Sequence, residues 1–217
     1  MRRWNQLQAA KALGVSQSYL SMLETGMRKS TPAFARRAAG LYRLPPTALV
    51  LPEELNVNGA TRDLAEELAA LGYPGFHRAR PHRKRNPAEV LLLALARKDL
   101  DPRVTEGLPW IMLRYPEMDW AWLVRQTKLH DLQNRLGYVT SLARRFAESR
   151  ERYGRIAPML AQREAALEPA RLQREDTLCR ESMTEPERTW LRARRPPEAA
   201  HWNLLAGVTP QQLRYAA

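Results

Sequence analysis

Gln17, Ser18, Ser21 and Met22 recur at the spacing that places side chains along one side of a short helix. An amide and two hydroxyls near the N-terminus of an exposed helix can meet the donors and acceptors that base edges display in a major groove. Met22 has no strong hydrogen-bonding atom, so its match there is a thymine methyl or nothing. Gly26, Arg28 and Lys29 follow as a basic turn suited to phosphate oxygens. The chemistry on offer is recognition by hydrogen bonds and charge, with no bond made or broken.

Two short helices must position these groups. In the stretch Asn5-Gln-Leu-Gln-Ala-Ala-Lys-Ala-Leu-Gly-Val-Ser-Gln-Ser-Tyr-Leu-Ser-Met-Leu-Glu-Thr-Gly26, the first helix is expected to turn Leu7, Ala10 and Leu13 inward. Ala10 is small because helices joined by a three- to four-residue turn cross steeply and approach closely. Gly14 supplies the positive φ that ends the first helix. Ser16 caps the second, whose inner face is Leu20 and Leu23, with Val15 plugging the turn.

These residues closely resemble the XRE family, the Cro/cI-like phage repressor fold, in which a Gln opens the first helix and Leu-Gly-Val-Ser leads into recognition. Here those elements are Gln6 and Leu13-Gly-Val-Ser16. The likeness continues through Leu20, Leu23-Glu24, Gly26, Thr31-Pro32, a helix over 33–42 and Leu44-Pro-Pro-Thr-Ala-Leu49, about a quarter of the chain. It implies a lambda-repressor-like helix-turn-helix and a transcriptional regulator, a repressor, that binds double-stranded DNA sequence-specifically. By matched position, Gln17, Ser18, Ser21 and Met22 become candidate base readers. Gln6, Ser16, Arg28 and Lys29 become candidate phosphate contacts. A homodimer is expected, because one reading helix covers only a half-site. The family places a helix ahead of Gln6, whereas only residues 1–5 stand there, so that first helix is missing. Either Trp4 and the following domain fill the gap or the true start lies upstream of Met1. Glu24, which commonly pairs with a basic residue on that helix, is left without a known partner.

Charge agrees with a polyanionic partner. The 217-residue chain carries a formal net charge of +12. Residues 1–50 hold eight Lys/Arg against the single acid Glu24, and so +7 of that total. A lone cysteine, Cys179, excludes an internal disulfide and fits a reducing, cytoplasmic compartment. The longest apolar run, 90–96, is too short to span a bilayer, so no membrane association is expected. His77, His82, His130 and His201 are dispersed, and neither a His-Glu-x-x-His nor a Gly-rich phosphate loop occurs. No enzymatic role, cofactor or metal is expected.

The remainder reads as helical, making the whole chain all-α: a helix-turn-helix domain over 1–51, a linker over 52–60, and a larger helical domain over 61–217 for dimerisation or partner binding. Thr31-Pro32, Asn86-Pro87, Asp101-Pro102, Thr184 with Pro186, and Thr209-Pro210 are helix starts, and Glu89 would complete a capping box with Asn86. Helices are expected over 61–71, 87–98, 102–114 with a disturbance at Pro109, 119–150 as one or two, 155–180, 185–194, 197–205 and 210–216. Trp110, Trp120, Leu123, Leu129, Leu132 and Leu136 would form their core. The basic segment from Arg78 to Arg85 reads as a solvated loop that could also touch phosphate. Leu108-Pro-Trp110, Asp119-Trp120 and Asn134-Arg-Leu-Gly-Tyr138 look like the C-terminal regions of AbiEi-type antitoxins. Those proteins join a DNA-binding module to a helical domain and accompany nucleotidyltransferase toxins. This second resemblance implies an alternative: an antitoxin that binds such a toxin protein and autoregulates its operon.

Overall fold

Capping residues decide where the helices begin. In the computed structural model, which describes residues 4–57, 63–76 and 84–213, seven helices start behind a side chain that accepts a backbone N–H of the first turn: Asn5, Ser16, Thr31, Asp63, Asn86, Asp101 and Asp119. Thr184 does the same in a full capping box with Glu187. At Asn86 the side chain accepts the N–H of Ala88 and not that of Glu89, as a capping box would require, and Glu89 pairs with Arg85.

The chain divides into two compact units, Met1–Pro52 and Glu53–Ala217. The first contains α1 (Gln6–Leu13), α2 (Gln17–Glu24) and α3 (Pro32–Tyr42), closed by a 3₁₀ turn at Pro46–Ala48. Its core is Ala9, Ala10, Leu13 and Leu20, with Trp4, Val15, Phe34, Ala38 and Leu41 packed around them. Trp4 thus covers part of the core, and its ring meets Tyr42 at 5.8 Å. Leu7, expected inside, is 62% exposed. It lies roughly 115° around the helix from the centre of the Ala9, Ala10 and Leu13 face, too far to reach the same neighbours.

The second unit contains α4 (Leu64–Leu71), α5 (Pro87–Leu95), α6 (Pro102–Arg114), α7 (Trp120–Leu129), α8 (Gln133–Glu148), α9 (Ile156–Leu167), α10 (Glu185–Arg194) and α11 (Pro197–His201). A two-residue parallel pair joins β1 (Asp176–Thr177) to β2 (Leu204–Leu205). The fold is all-α, with this short pair as its only named sheet among the described residues. Gln126 holds the unit's leading edge: its Nε2 donates to the Glu53 carbonyl and its Oε1 accepts the Leu55 N–H. Pro109 is accommodated inside α6, and 119–150 forms two helices separated at Asp131, which takes φ 56°. The helix expected over 155–180 stops at Leu167, because Pro169 cannot continue it. Residues 171–175 run without helix or strand into β1. No described helix is long and apolar enough to cross a membrane.

α8 is the axis of this unit, buried almost without interruption from Gln133 to Ala143. The five residues Asn134 to Tyr138 each serve the packing. Asn134 donates to the Leu172 carbonyl and accepts the Leu172 N–H. Arg135, whose side chain is 5% exposed, forms a two-point pair with Asp176 at 2.7 and 2.9 Å and donates to the carbonyls of Leu95 and Arg97 at the end of α5. Leu136 is fully buried, Tyr138 donates its hydroxyl proton to the Val208 carbonyl, and Gly137 forms the floor beneath the Trp202 ring. Trp202 is itself fully buried and donates to Ser141 Oγ at 3.0 Å. Of the expected aromatic and aliphatic core, Trp110, Leu123, Leu132 and Leu136 are buried. Trp120 is half-buried under the Arg163 guanidinium, and Leu129 is 59% exposed. Trp122, not singled out in the sequence, takes an inward place on the same helix.

A Cβ at Gly137 would lie 2.5 Å from three ring atoms of Trp202. Gly137→Ala should therefore destabilise the second unit by about 1–3 kcal/mol, read as a lower urea midpoint with tryptophan fluorescence as the probe. Burial pushes the Cys179 thiol up from 9.0 to about 12. Because the folded state holds the proton that the unfolded chain releases, this contribution is complete below pH 9 and declines as pH rises towards 12. Native protein should resist thiol-directed reagents at pH 8 and label only on unfolding, and Cys179→Ala should flatten the alkaline loss of stability.

Candidate nucleic-acid interface

The turn between α1 and α2 is built as its residues require. Gly14 takes φ 66° and its N–H closes on the Lys11 carbonyl, while the Val15 N–H closes on the Ala10 carbonyl. Arg37 reaches from α3 to donate to the Leu13 carbonyl at 2.8 Å, satisfying an end carbonyl of α1. No local pattern announces Arg37, which lies 24 positions away. The general signal is a cation at a helix C-terminus, and it becomes readable only once α3 is placed.

Ala10 and Leu13 are each 1% exposed and share a core with Ala9 and Leu20, in which Ala10 contributes only a methyl group. Leu20 seals α2 against α1, and Leu23 is half-buried. Ser16 Oγ accepts the Tyr19 N–H at 3.1 Å, which leaves its backbone at the exposed start of α2. Gln17 and Ser18 are exposed on the first turn, whereas Ser21 and Met22 are half-buried one turn on. Thr25 donates its hydroxyl proton to the Ser21 carbonyl at 2.8 Å, finishing the helix.

Gln6 joins the two helices at their polar edge. Its Nε2 donates to Glu24 Oε2 at 2.7 Å, and its Oε1 accepts from Gln17 Nε2 at 3.2 Å. Glu24 thus has an amide partner on α1. Among the expected phosphate contacts, Gln6 and Ser16 sit beside the first turn of α2, and Arg28 and Lys29 follow its end. Gly26 takes φ 72°, the Arg28 N–H returns to the Met22 carbonyl at 3.0 Å, and the Arg28 guanidinium lies 4.9 Å from the Tyr19 ring centroid. Arg28 and Lys29 are both exposed, with Lys11, Arg36 and Arg43 exposed elsewhere on the unit. The basic loop is mostly outside the described residues, as are Arg2 and Arg3; Arg85 at its end is bound to Glu67 and Glu89.

This arrangement presents a short helix with polar, exposed N-terminal side chains, flanked by cations and braced from behind by an apolar contact. A family model described as helix-turn-helix matches residues 1–49. Those residues are a helix-turn-helix of the XRE type. The chain therefore carries the double-stranded DNA-binding module of a regulator of that type. The match ends before the second unit and lends nothing to the AbiEi resemblance there. No curated protein and no solved structure matches the chain.

Gly14 tests the geometry of the turn. A Cβ there would meet Arg37 Nη1 at 3.2 Å on a backbone with φ 66°. Gly14→Val should cost the module about 1–2 kcal/mol, while Gly14→Asn should cost less, because Asn tolerates the left-handed region. Hydrogen exchange of the α1 and α2 amides in the full chain should rise in that order: wild type, Asn variant, Val variant.

Proposed function

We propose that this protein is a sequence-specific transcriptional repressor that binds its operator as a homodimer in the cytoplasm, without enzymatic activity or cofactor. The observation that carries the reading is the exposure of Gln17 and Ser18 on the first turn of α2, beside a cationic turn at Arg28 and Lys29. In this reading Gln17 and Ser18 contact base edges, with Ser21 and Met22 in secondary positions one turn deeper. Gln6, the Ser16 end of α2, Arg28 and Lys29 set the register on phosphate. Repression follows from occupancy of a promoter site, and dimerisation supplies two half-sites to a module that alone covers one. The dimer contact is assigned to the second unit.

The antitoxin alternative draws on Leu108 to Trp110, Asp119-Trp120 and Asn134 to Tyr138. The first stretch is buried in α6, Asp119 caps α7, Trp120 lies under Arg163, and each residue of the last stretch serves the packing of the second unit. Their presence is thus explained without a toxin. Co-purification with a nucleotidyltransferase encoded beside this gene would favour that alternative.

The deciding experiment is a titration of the full chain against its own promoter and a scrambled duplex across a range of salt. Wild type should prefer the promoter. Gln17→Ala or Ser18→Ala should cut that preference by roughly 5- to 150-fold while leaving the scrambled duplex nearly unaffected. Arg28→Gln with Lys29→Gln should weaken both duplexes alike and lower the salt slope by about 2. Equal, steeply salt-sensitive binding of wild type to both duplexes would reduce the module to a basic surface and refute the repressor reading.

A further inference from the structure

We infer that Glu24 sets the polarity of the side-chain relay from Glu24 through Gln6 to Gln17, and so decides which hydrogen-bonding pattern Gln17 turns towards a base. The inference rests on the base-reading role proposed for Gln17. Its starting point is that an ionised carboxylate only accepts, whereas a primary amide has one accepting and one donating end. Gln6 must therefore turn its NH2 to Glu24, as the 2.7 Å contact has it. The other end of that amide, an acceptor, then faces Gln17, which must answer with its own NH2 at 3.2 Å. One fixed charge orients two amides in series.

The consequence reaches the base edge. With one N–H engaged on Gln6, Gln17 retains an oxygen and a second N–H, an acceptor and a donor side by side. That pair matches N6 and N7 of adenine. A reversed amide would turn its oxygen to Gln6 and its NH2 outward, two donors that match O6 and N7 of guanine. Glu24 is also the only acid in residues 1–52, among eight Lys/Arg. In a phosphate-binding module a lone negative charge opposes binding, and orienting the relay gives it a use that offsets this. Glu24 is a positioning residue in this scheme and does not itself touch DNA.

The test uses the full chain as wild type, Glu24→Gln, and the exchange Gln6→Glu with Glu24→Gln. Binding is measured to duplex pools in which each base pair is varied singly, together with melting temperature and, without DNA, the NMR resonances of the Gln17 side-chain NH2. Glu24→Gln permits both amide orientations, so it should fold normally, shift the Gln17 resonances and lose roughly fivefold or more of the adenine preference at one position. The exchange variant places the carboxylate at position 6, where it again accepts from Gln17, and should restore the preference despite weaker overall binding. The idea is overturned if Glu24→Gln keeps the wild-type preference, if the Gln17 resonances do not move, or if affinity falls equally for every base pair along with the melting temperature. If wild type has no base preference while the Gln17 resonances still shift in Glu24→Gln, the base-reading role falls and the relay's polarity is upheld.

Discussion

How closely α1 and α2 can cross governs the rest of the recognition module. Ala10 adds only a methyl group to the core that Leu13 and Leu20 fill, and the first residue of α1 comes within side-chain reach of both ends of α2. Gln17 and Glu24 are seven positions apart on a helix, roughly 10 Å along its axis, and a single glutamine bridges them. A longer residue at position 10 would force the helices apart and open that bridge. Apolar packing and the polar edge are thus one constraint seen from two sides.

The second unit is organised around a different contact, the guanidinium of Arg135. It is held by Asp176, by two carbonyls at the end of α5, and by the nearby Cys179 sulfur. Desolvation opposes its charge, but the hydrogen bonds to Asp176 raise its pKa above the usual arginine value. Removing one partner of such a pair leaves a buried charge without compensation, which is why the short β1 segment and the end of α5 depend on each other. Together with the Asn134 contact to Leu172, this fixes a stretch of chain that has no helix of its own.

Local chemistry was readable where the signal lay within a few residues. Ser16, Thr31, Asn86, Asp101 and Thr184 cap helices because a short oxygen-bearing side chain meets the free N–H groups of the next turn, whatever the tertiary fold. Gly14 and Gly72 end helices for an equally local reason. Contacts between distant positions were not readable: Arg37 with Leu13, Arg135 with Asp176, and Gly137 beneath Trp202. Leu129 and Leu7 show the limit of apolar type as a guide, since each lies on a face that no described neighbour buries. The overlong helix expected after residue 155 has a plainer cause: Pro169 was a visible stop signal that helical composition masked. For the candidate site, the order of residues and the polar face of α2 were legible, whereas the bond from Gln6 to Glu24 required three dimensions.

Trp202 has a bearing on how the protein is made. Its ring rests on Gly137 of α8, so the centre of the second unit cannot close until synthesis has passed residue 202. The first unit is finished 150 residues earlier, and at a usual translation speed that gap is roughly 8–30 s. For that interval a nascent chain displays a completed DNA-binding module attached to an unfinished domain whose apolar helices still seek a partner. The face of α8 that Trp202 covers therefore stays open to wrong contacts after every surface of the first unit has been made.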